Sequence, residues 1–342
     1  MKICYLLEGT DLWGGVKVVL EQANELYRRG VDVVVLSKGP EPDWFEVESP
    51  FVHVPAFTRE VIPSSDYIIA TFWETVAPAV ESARGRVVHF CQGFEADYAV
   101  NRHLAPQIDR VYRLPTWKIT VSPHLVELIS NRFGQFAVCI GQTFDNTLFY
   151  PEDRRPFPAV PTVILVGIYE ADFKGIPFAL QALDMVREKG LVFRLLRVSQ
   201  LPQSEEERRY GFEGNYYVNV RPEVISRLYR SSHLAVSPSL EAEGFGLPAL
   251  EALACGLPSV LTEISSFRGF DSRSDFALFV PPSSPEPMAA AVIRLMRDPD
   301  LRRRLSARAV EAARNHSTEK TVSRLLSLLE SGEDGAGLRA SL

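Results

Sequence analysis

Residues 1–36 read MKICYLLEGTDLWGGVKVVLEQANELYRRGVDVVVL, and the change of period along this stretch sets the fold class. Lys2–Leu7 is an apolar run of strand length, and Gly9–Gly15 (GTDLWGG) breaks it. Val16, Val19, Leu20, Ala23, Leu26 and Tyr27 then recur at helical spacing as far as Gly30. Val31–Leu36 (VDVVVL) is a second apolar run. Strand, glycine turn, helix and strand make a βαβ unit, whose right-handed crossover lays the two strands parallel in one sheet.

Outward from this unit the pattern repeats. Strand-like runs at Phe51–Phe57, Tyr67–Phe72, Arg86–Cys91, Lys118–Val121 and Phe136–Ile140 are mostly separated by lengths that hold a helix. From Asp145 to Thr162 the chain reads DNTLFYPEDRRPFPAVPT, with four prolines and no apolar period, as expected of an interdomain linker. A second series follows at Thr162–Val166, Phe193–Val198, Tyr216–Val220, Leu234–Ser237, Ser259–Thr262 and Phe276–Val280, again alternating with helical stretches. The expectation is two parallel α/β domains in tandem, the first over 1–150 and the second over 160–316, followed by a helix at about 317–330.

Composition agrees with two folded domains and excludes other classes. The chain has 342 residues, 46% of them hydrophobic, which rules out disorder. Its 37 Lys and Arg are outnumbered by 43 Asp and Glu, a balance that disfavours a nucleic-acid partner. No run of 18 apolar residues occurs, and the opening residues carry no cleavable export signal, so a cytoplasmic protein is expected. Cys4, Cys91, Cys139 and Cys255 are widely spaced within or beside apolar segments, as reduced core thiols would be. The six histidines form no metal-spaced pair, so no metal site is expected.

Ligands of open α/β sheets bind at the carboxyl ends of strands, which directs attention to three loops. The first is Gly9–Gly15, where Gly14 and Gly15 precede a helix expected from about Val16; backbone amides there suit a phosphate, and a tight turn needing glycine accounts for them equally well. The second is Gly167–Gly175 (GIYEADFKG), where Lys174 is either a phosphate-binding cation or a solvated loop lysine. The third is Ser237–Val260, SPSLEAEGFGLPALEALACGLPSV. There Glu243 precedes Gly244, Phe245 and Gly246, and a helix starts around Leu247 or Pro248 with Glu251 in its first or second turn. Exposed amides at a helix N-terminus favour an anion, whereas the two flanking carboxylates favour hydroxyl groups, as on ribose or a sugar. Dipole stabilisation by Glu251 and a solvated Glu243 are the structural alternatives.

Taken together, these residues resemble the retaining glycosyltransferases of family 4, the glycosyl transferases group 1. Glu243 and Glu251 with seven residues between them, inside EGFGLPALEALACGLPSV, carry the likeness, together with Gly14-Gly15 and Lys174-Gly175. The resemblance implies a GT-B fold of two facing Rossmann-like domains with a cleft between, and a last helix, from about His316, returning to the N-terminal domain. It implies a nucleotide-sugar donor, with Glu251 on the ribose, Glu243 on the donor sugar, and the backbone of Gly244, Phe245, Gly246 and Leu247 along sugar and diphosphate. Lys174 would bind the diphosphate, joined by an amide of Gly15 or Gly14, and the base would be read by backbone near Asn219–Pro222. No cofactor or metal is implied. Transfer to an acceptor hydroxyl with retention, in cell-surface polysaccharide or glycolipid synthesis, is the expected activity; a non-catalytic nucleotide-sugar or carbohydrate-binding protein of the same fold is the alternative.

The sequence departs from the family in two places. Ile168 stands six residues before Lys174, where members commonly carry arginine, and Arg197 and Arg221 are the candidates to replace it. Many members carry a histidine just after the strand that corresponds to Arg86–Cys91, where this chain reads HFCQGFEADY; Gln92 or Glu95 would take that acceptor-side place, with His89 satisfied in the core. The mildly basic stretch from Arg102 to Lys118 suits an anionic membrane or a lipid-linked acceptor, although a solvated face is the commoner use of such a stretch.

Overall fold

The computed structural model describes residues 1–152 and 156–332. These residues form two compact units, one made of Met1–Phe144 with the described residues from His316 onward, the other of Asp145–Asn315. The domain change expected at 150 therefore falls at 144/145. Local bonding explains it, because the Leu148 carbonyl accepts from Ser226 Oγ at 2.6 Å and from Arg230 Nη1 at 3.1 Å, and the Phe149 ring meets Tyr229 edge-on. The start of the proline-rich stretch is thus bound to the second unit; its residues 153–155 lie outside the described ones.

In the first unit the elements run β1 (Lys2–Leu7), α1 (Gly14–Arg28), β2 (Asp32–Ser37), β3 (Phe51–His53), β4 (Tyr67–Ala70), α2 (Trp73–Ser82), β5 (Arg86–Cys91), α3 (Ala105–Tyr112), β6 (Trp117–Thr120), α4 (Pro123–Phe133) and β7 (Ala137–Cys139). Among the described residues seven strands pair in parallel in the order β3-β2-β1-β4-β5-β6-β7. Ile3 to Leu7 are all buried, which is why β1 reads as an unbroken apolar run instead of alternating. The run expected at Phe51–Phe57 pairs only over Phe51–His53, an edge strand whose Val52 and His53 are exposed. Helix α1 buries Val19, Leu20, Ala23 and Leu26 as expected, and also Gln22 and Asn24. Those two are satisfied: Gln22 donates to Thr143 Oγ1 at 2.8 Å and accepts from Tyr5 Oη at 3.1 Å, while Asn24 donates to the Glu46 carbonyl at 2.8 Å.

In the second unit follow β8 (Thr162–Val166), α5 (Ile176–Glu188), β9 (Arg194–Ser199), α6 (Glu205–Arg209), β10 (Gly214–Val218), α7 (Pro222–Ser231), β11 (Leu234–Ser237), α8 (Leu247–Ala254), β12 (Ser259–Thr262), α9 (Ser265–Arg268), β13 (Leu278–Val280), α10 (Pro285–Arg297) and α11 (Pro299–Ala313). Its described strands form a six-stranded parallel sheet in the order β10-β9-β8-β11-β12-β13. Val163, Leu165, Leu234, Val236 and Val260 pack against Leu180 and Leu183 of α5 and Val292 and Leu295 of α10 in one core. Helix α12 (Thr318–Ser331) belongs to the first unit. It is fastened there by Tyr67 Oη donating to the Leu329 carbonyl at 2.6 Å and by Arg29 Nη1 donating to Ser323 Oγ at 2.9 Å.

Strand order in the second sheet decides which loops meet. The chain order reverses between β8 and β11, so the loops leaving the carboxyl ends of those two neighbouring strands flank a topological switch point. They are Gly167–Gly175 and Pro238–Gly246, two of the three stretches singled out by sequence.

Candidate active site

The two loops are joined before any ligand is considered. The Leu240 amide donates to the Phe173 carbonyl at 2.7 Å, and Gly175, at φ +62°, passes so close to the Pro238 carbonyl that a Cβ would strike it. This close approach carries Lys174 to Glu243: Nζ lies 2.7 Å from Oε2, although the residues are 69 apart in sequence. The pair is largely withdrawn from water, with the lysine side chain 19% and the carboxylate 8% exposed. Ser239 Oγ donates to the same carboxylate oxygen at 2.9 Å, and Thr262 Oγ1 donates to the Ser239 carbonyl. Glu243 is therefore neither solvated nor loose. Sequence reasoning passed over Ser239 and Thr262; the only signal was a serine four residues before the glutamate, which does not reveal that the turn folds back.

Helix α8 begins at Leu247, with Gly246 as its N-cap in the left-handed region at φ +93° and no side-chain cap. Its first turn holds no acid, so the positive end of the helix dipole faces no carboxylate there, while the Ala249 and Leu250 amides turn to the Gly246 carbonyl. Glu251 opens the second turn and is buried, beside the Tyr229 hydroxyl, which donates to the Pro248 carbonyl at 3.0 Å. Burial first, and then the negative charge of Glu251, hold the Tyr229 hydroxyl well above its ordinary range. The Phe245 ring turns inward onto Phe270, at a centroid distance of 5.0 Å, leaving its backbone as the part that could meet a ligand. A Cβ on Gly246 would collide with the Phe267 ring. Gly246→Ala is accordingly expected to lower stability by about 2–4 kcal/mol through combined backbone strain and overpacking, read as a lower urea midpoint with unchanged slope.

The two arginines considered for the missing cation fare differently. Ile168 is itself buried, 8% exposed. Arg197 is spent within the fold: Nε donates to Glu207 at 2.8 Å, Nη1 to the carbonyls of Val198 at 2.7 Å and Leu165 at 3.3 Å, and its side chain is 4% exposed. Burial pulls its guanidinium below the ordinary range, with Glu207 opposing that shift. Arg197 as a diphosphate ligand is thus corrected, because a guanidinium enclosed on this scale holds β9 to α6. Arg221 is exposed and sits at the N-cap of α7, beyond Asn219 in the left-handed region at φ +49°.

In the first unit Gly14 and Gly15 are the first residues of α1, so the helix starts two residues before the expected Val16. The N-cap Trp13 offers no side-chain bond and no acid occupies the first turn. Gln92 Nε2 donates to the Gly15 carbonyl at 3.2 Å. Glu95 is buried, with Oε2 2.8 Å from Tyr112 Oη. His89 is buried as expected, but neither ring nitrogen has a hydrogen-bond partner, and burial lowers its pKa to about 3. Lys118, counted from sequence in a basic surface stretch, is 2% exposed; Arg102, Arg110 and Arg113 do face solvent. Among the described residues no helix is long and apolar enough to cross a membrane.

Residues 160–298, which span most of the second unit, match the family model described as glycosyl transferases group 1. Over these residues the chain is similar to this GT4-like family. A phosphatidyl-myo-inositol mannosyltransferase of Mycolicibacterium smegmatis is 26% identical over 196 residues, 56% of this chain and 49% of that protein. A D-inositol 3-phosphate glycosyltransferase of Thermomonospora curvata is 32% identical over 118 residues, covering 34% and 27% of the two chains. The matched region thus spans about half or less of these curated relatives. Among solved structures, that of Anabaena Alr3699/HepE in complex with UDP-glucose superposes with a TM-score of 0.81 at 15% identity, covering 97% of this chain and 100% of that one. At that identity the likeness shows the fold, which is GT-B, with one parallel α/β sheet in each unit.

Proposed function

We propose that the chain transfers a glycosyl group from a nucleotide sugar to an acceptor hydroxyl with retention of configuration and without a metal ion. The observation that carries this reading is the Lys174–Glu243 pair at the switch point beside the uncapped start of α8. A cation beside the positive end of a helix dipole suits a diphosphate leaving group, and a carboxylate held by Ser239 suits the hydroxyls of a sugar. With the leaving diphosphate accepting the acceptor's proton, no protein base is needed, and the residues act by binding and by charge stabilisation. Glu251 would take the ribose hydroxyls, and the backbone near Asn219 the base. The names of the relatives support a carbohydrate or lipid-linked acceptor, for which the exposed Arg102, Arg110 and Arg113 supply cations.

A panel of UDP-, GDP-, dTDP- and ADP-sugars with lipid and glycan acceptors tests the reading. Release of nucleoside diphosphate with a product of unchanged anomeric configuration is expected; no turnover with any donor would sink it. Glu251→Ala is expected to weaken nucleoside diphosphate binding roughly 10–100-fold, the loss of one or two charge-assisted hydrogen bonds, seen as a smaller ligand-induced rise in Tm. The buried Ile168, where the family commonly has a cation, favours a second reading as a non-catalytic binder. Calorimetric binding of a donor with no turnover in the presence of acceptors would support that one.

A further inference from the structure

The first unit contains an acid that the transfer reading does not use. Glu95 begins a short 3-10 turn, Glu95–Asp97, just after the carboxyl end of β5, and is 7% exposed. Its Oε2 lies 2.8 Å from Tyr112 Oη, and the same hydroxyl lies 2.8 Å from the Gly93 carbonyl oxygen. The tyrosine has one proton for two acceptors. Tyr112 either shares its proton between the two or, when Glu95 is protonated, receives a proton from Glu95 at Oη and donates its own to Gly93, which makes both contacts full two-centre hydrogen bonds. The backbone N–H groups of Glu95 and Trp73 also face the carboxyl.

We propose that Glu95 is a protonated hydrogen-bond donor that positions the loop after β5, and through Gln92 the glycine turn that opens α1, so that ionising it releases both. Gly93 is held by the Glu95–Tyr112 relay, and its neighbour Gln92 donates to the Gly15 carbonyl at 3.2 Å, with the Gly15 Cα packed against that amide. The Tyr112 ring is itself fixed, stacked on Phe133 at 5.4 Å and edge-on to Phe94 and His89.

The surroundings favour the neutral acid. Cys91 from β5 and Tyr112 from α3 face it, His89 packs edge-on to the Tyr112 ring, Lys118 from β6 lies near Cys91 and His89, and Arg132 from α4 lies over the neighbouring Phe94 ring. His89 stays neutral at its lowered pKa, and burial pushes the Cys91 thiol up. Lys118 Nζ is occupied by the Leu114 carbonyl, Thr116 Oγ1 and Gln135 Oε1. Arg132 pairs with Asp109 and Asp97. No cation pairs with Glu95 among the described residues, and burial pushes its carboxyl up to about 7.

The sign follows from that direction. An acid that is neutral when folded and ionised when unfolded costs stability as pH rises from its unfolded value near 4.5 to about 7, and no more beyond; above 7 the folded protein ionises and the loop loses its donor. Glu95→Gln keeps a neutral donor to Tyr112 at every pH. Thermal unfolding and amide exchange of wild type and Glu95→Gln from pH 5 to 9 are the test, with exchange read at the bonded amides of Asp97 and Lys17. Wild-type Tm should fall relative to the variant between pH 5 and 7 and then run parallel to it. Both amides should exchange at similar rates in the two proteins at pH 6 and about tenfold faster in wild type at pH 8.5. A ratio that stays constant across the range overturns the proposal, as does a change at Asp97 without one at Lys17. Tyr112→Phe should exchange fast at both amides at every pH, and if it does not fold, the Glu95→Gln comparison decides alone. No donor is present in these measurements, so their failure leaves the transfer reading untouched.

Discussion

Replacing Lys174 with alanine should lower glycosyl transfer by about two to three orders of magnitude, the scale found when a preorganised charge aimed at a developing anion is removed. Lys174 is the one cation brought into the switch-point site by the loops described here, and it is anchored 2.7 Å from Glu243 with little freedom to be replaced by a neighbour. The same change leaves Glu243 enclosed with Ser239 as a donor and no cation, so a stability loss on the order of 1–2 kcal/mol should accompany it, reduced from a fully buried value because the lysine side chain keeps contact with solvent. The two effects separate in Lys174→Ala/Glu243→Gln. Removing the orphaned charge should restore most of the stability and none of the transfer. A Lys174→Ala enzyme within tenfold of wild type in kcat/KM, assayed at equal folded concentration, would refute the role assigned to the lysine.

Arg197→Ala should instead leave donor affinity alone in whatever fraction folds and lower stability by about 3–5 kcal/mol, a fall in Tm of roughly 10 °C for a unit of this size. The guanidinium and its partner Glu207 are both almost sealed from solvent, at 4% and 2% side-chain exposure. Glu207 also accepts from Tyr216 Oη at 3.1 Å and from the Ser204 amide, so one charge organises β9, α6 and β10 together. Truncating the arginine strands the carboxylate in the interior. Arg197→Met with Glu207→Leu removes both charges and should recover most of the loss. If Arg197→Ala raised the donor KM at unchanged Tm, the arginine would be a ligand group after all.

Much of this was legible in the chain, for reasons particular residues display. Lys2–Leu7, Arg86–Cys91, Thr162–Val166, Leu234–Ser237 and Ser259–Thr262 form strands with the bounds their apolar runs suggest, because strands buried on both faces leave no polar interruption to misplace an end. The edge strand β3 is shorter than its run, since only one neighbour is there to pair with it. Local chemistry also marked the start of α8 to within a residue, at Leu247 or Pro248, and the helix opens at Leu247 after a glycine in the left-handed cap. It misplaced the start of α1, because glycines read as a turn when their amides in fact open the helix.

What the sequence determined by itself was the class of each segment and the short-range motif: two series of parallel strands, a glycine-bounded helix start, and Glu243 and Glu251 on either side of it. These depend on periods of two and 3.6 residues and on cap chemistry, which act over a few positions. Which charges meet was decided by tertiary structure alone. The reversal of strand order between β8 and β11 brings Lys174 to Glu243 across 69 residues of chain, and the turn of β9 into α6 consumes Arg197 on Glu207. Lys174 lies in the loop after β8 and Arg197 within β9, and neither position alone says which cation meets a ligand. Burial and partner distance, which exist only once the sheet is wound, make one a candidate for the site and the other part of the frame.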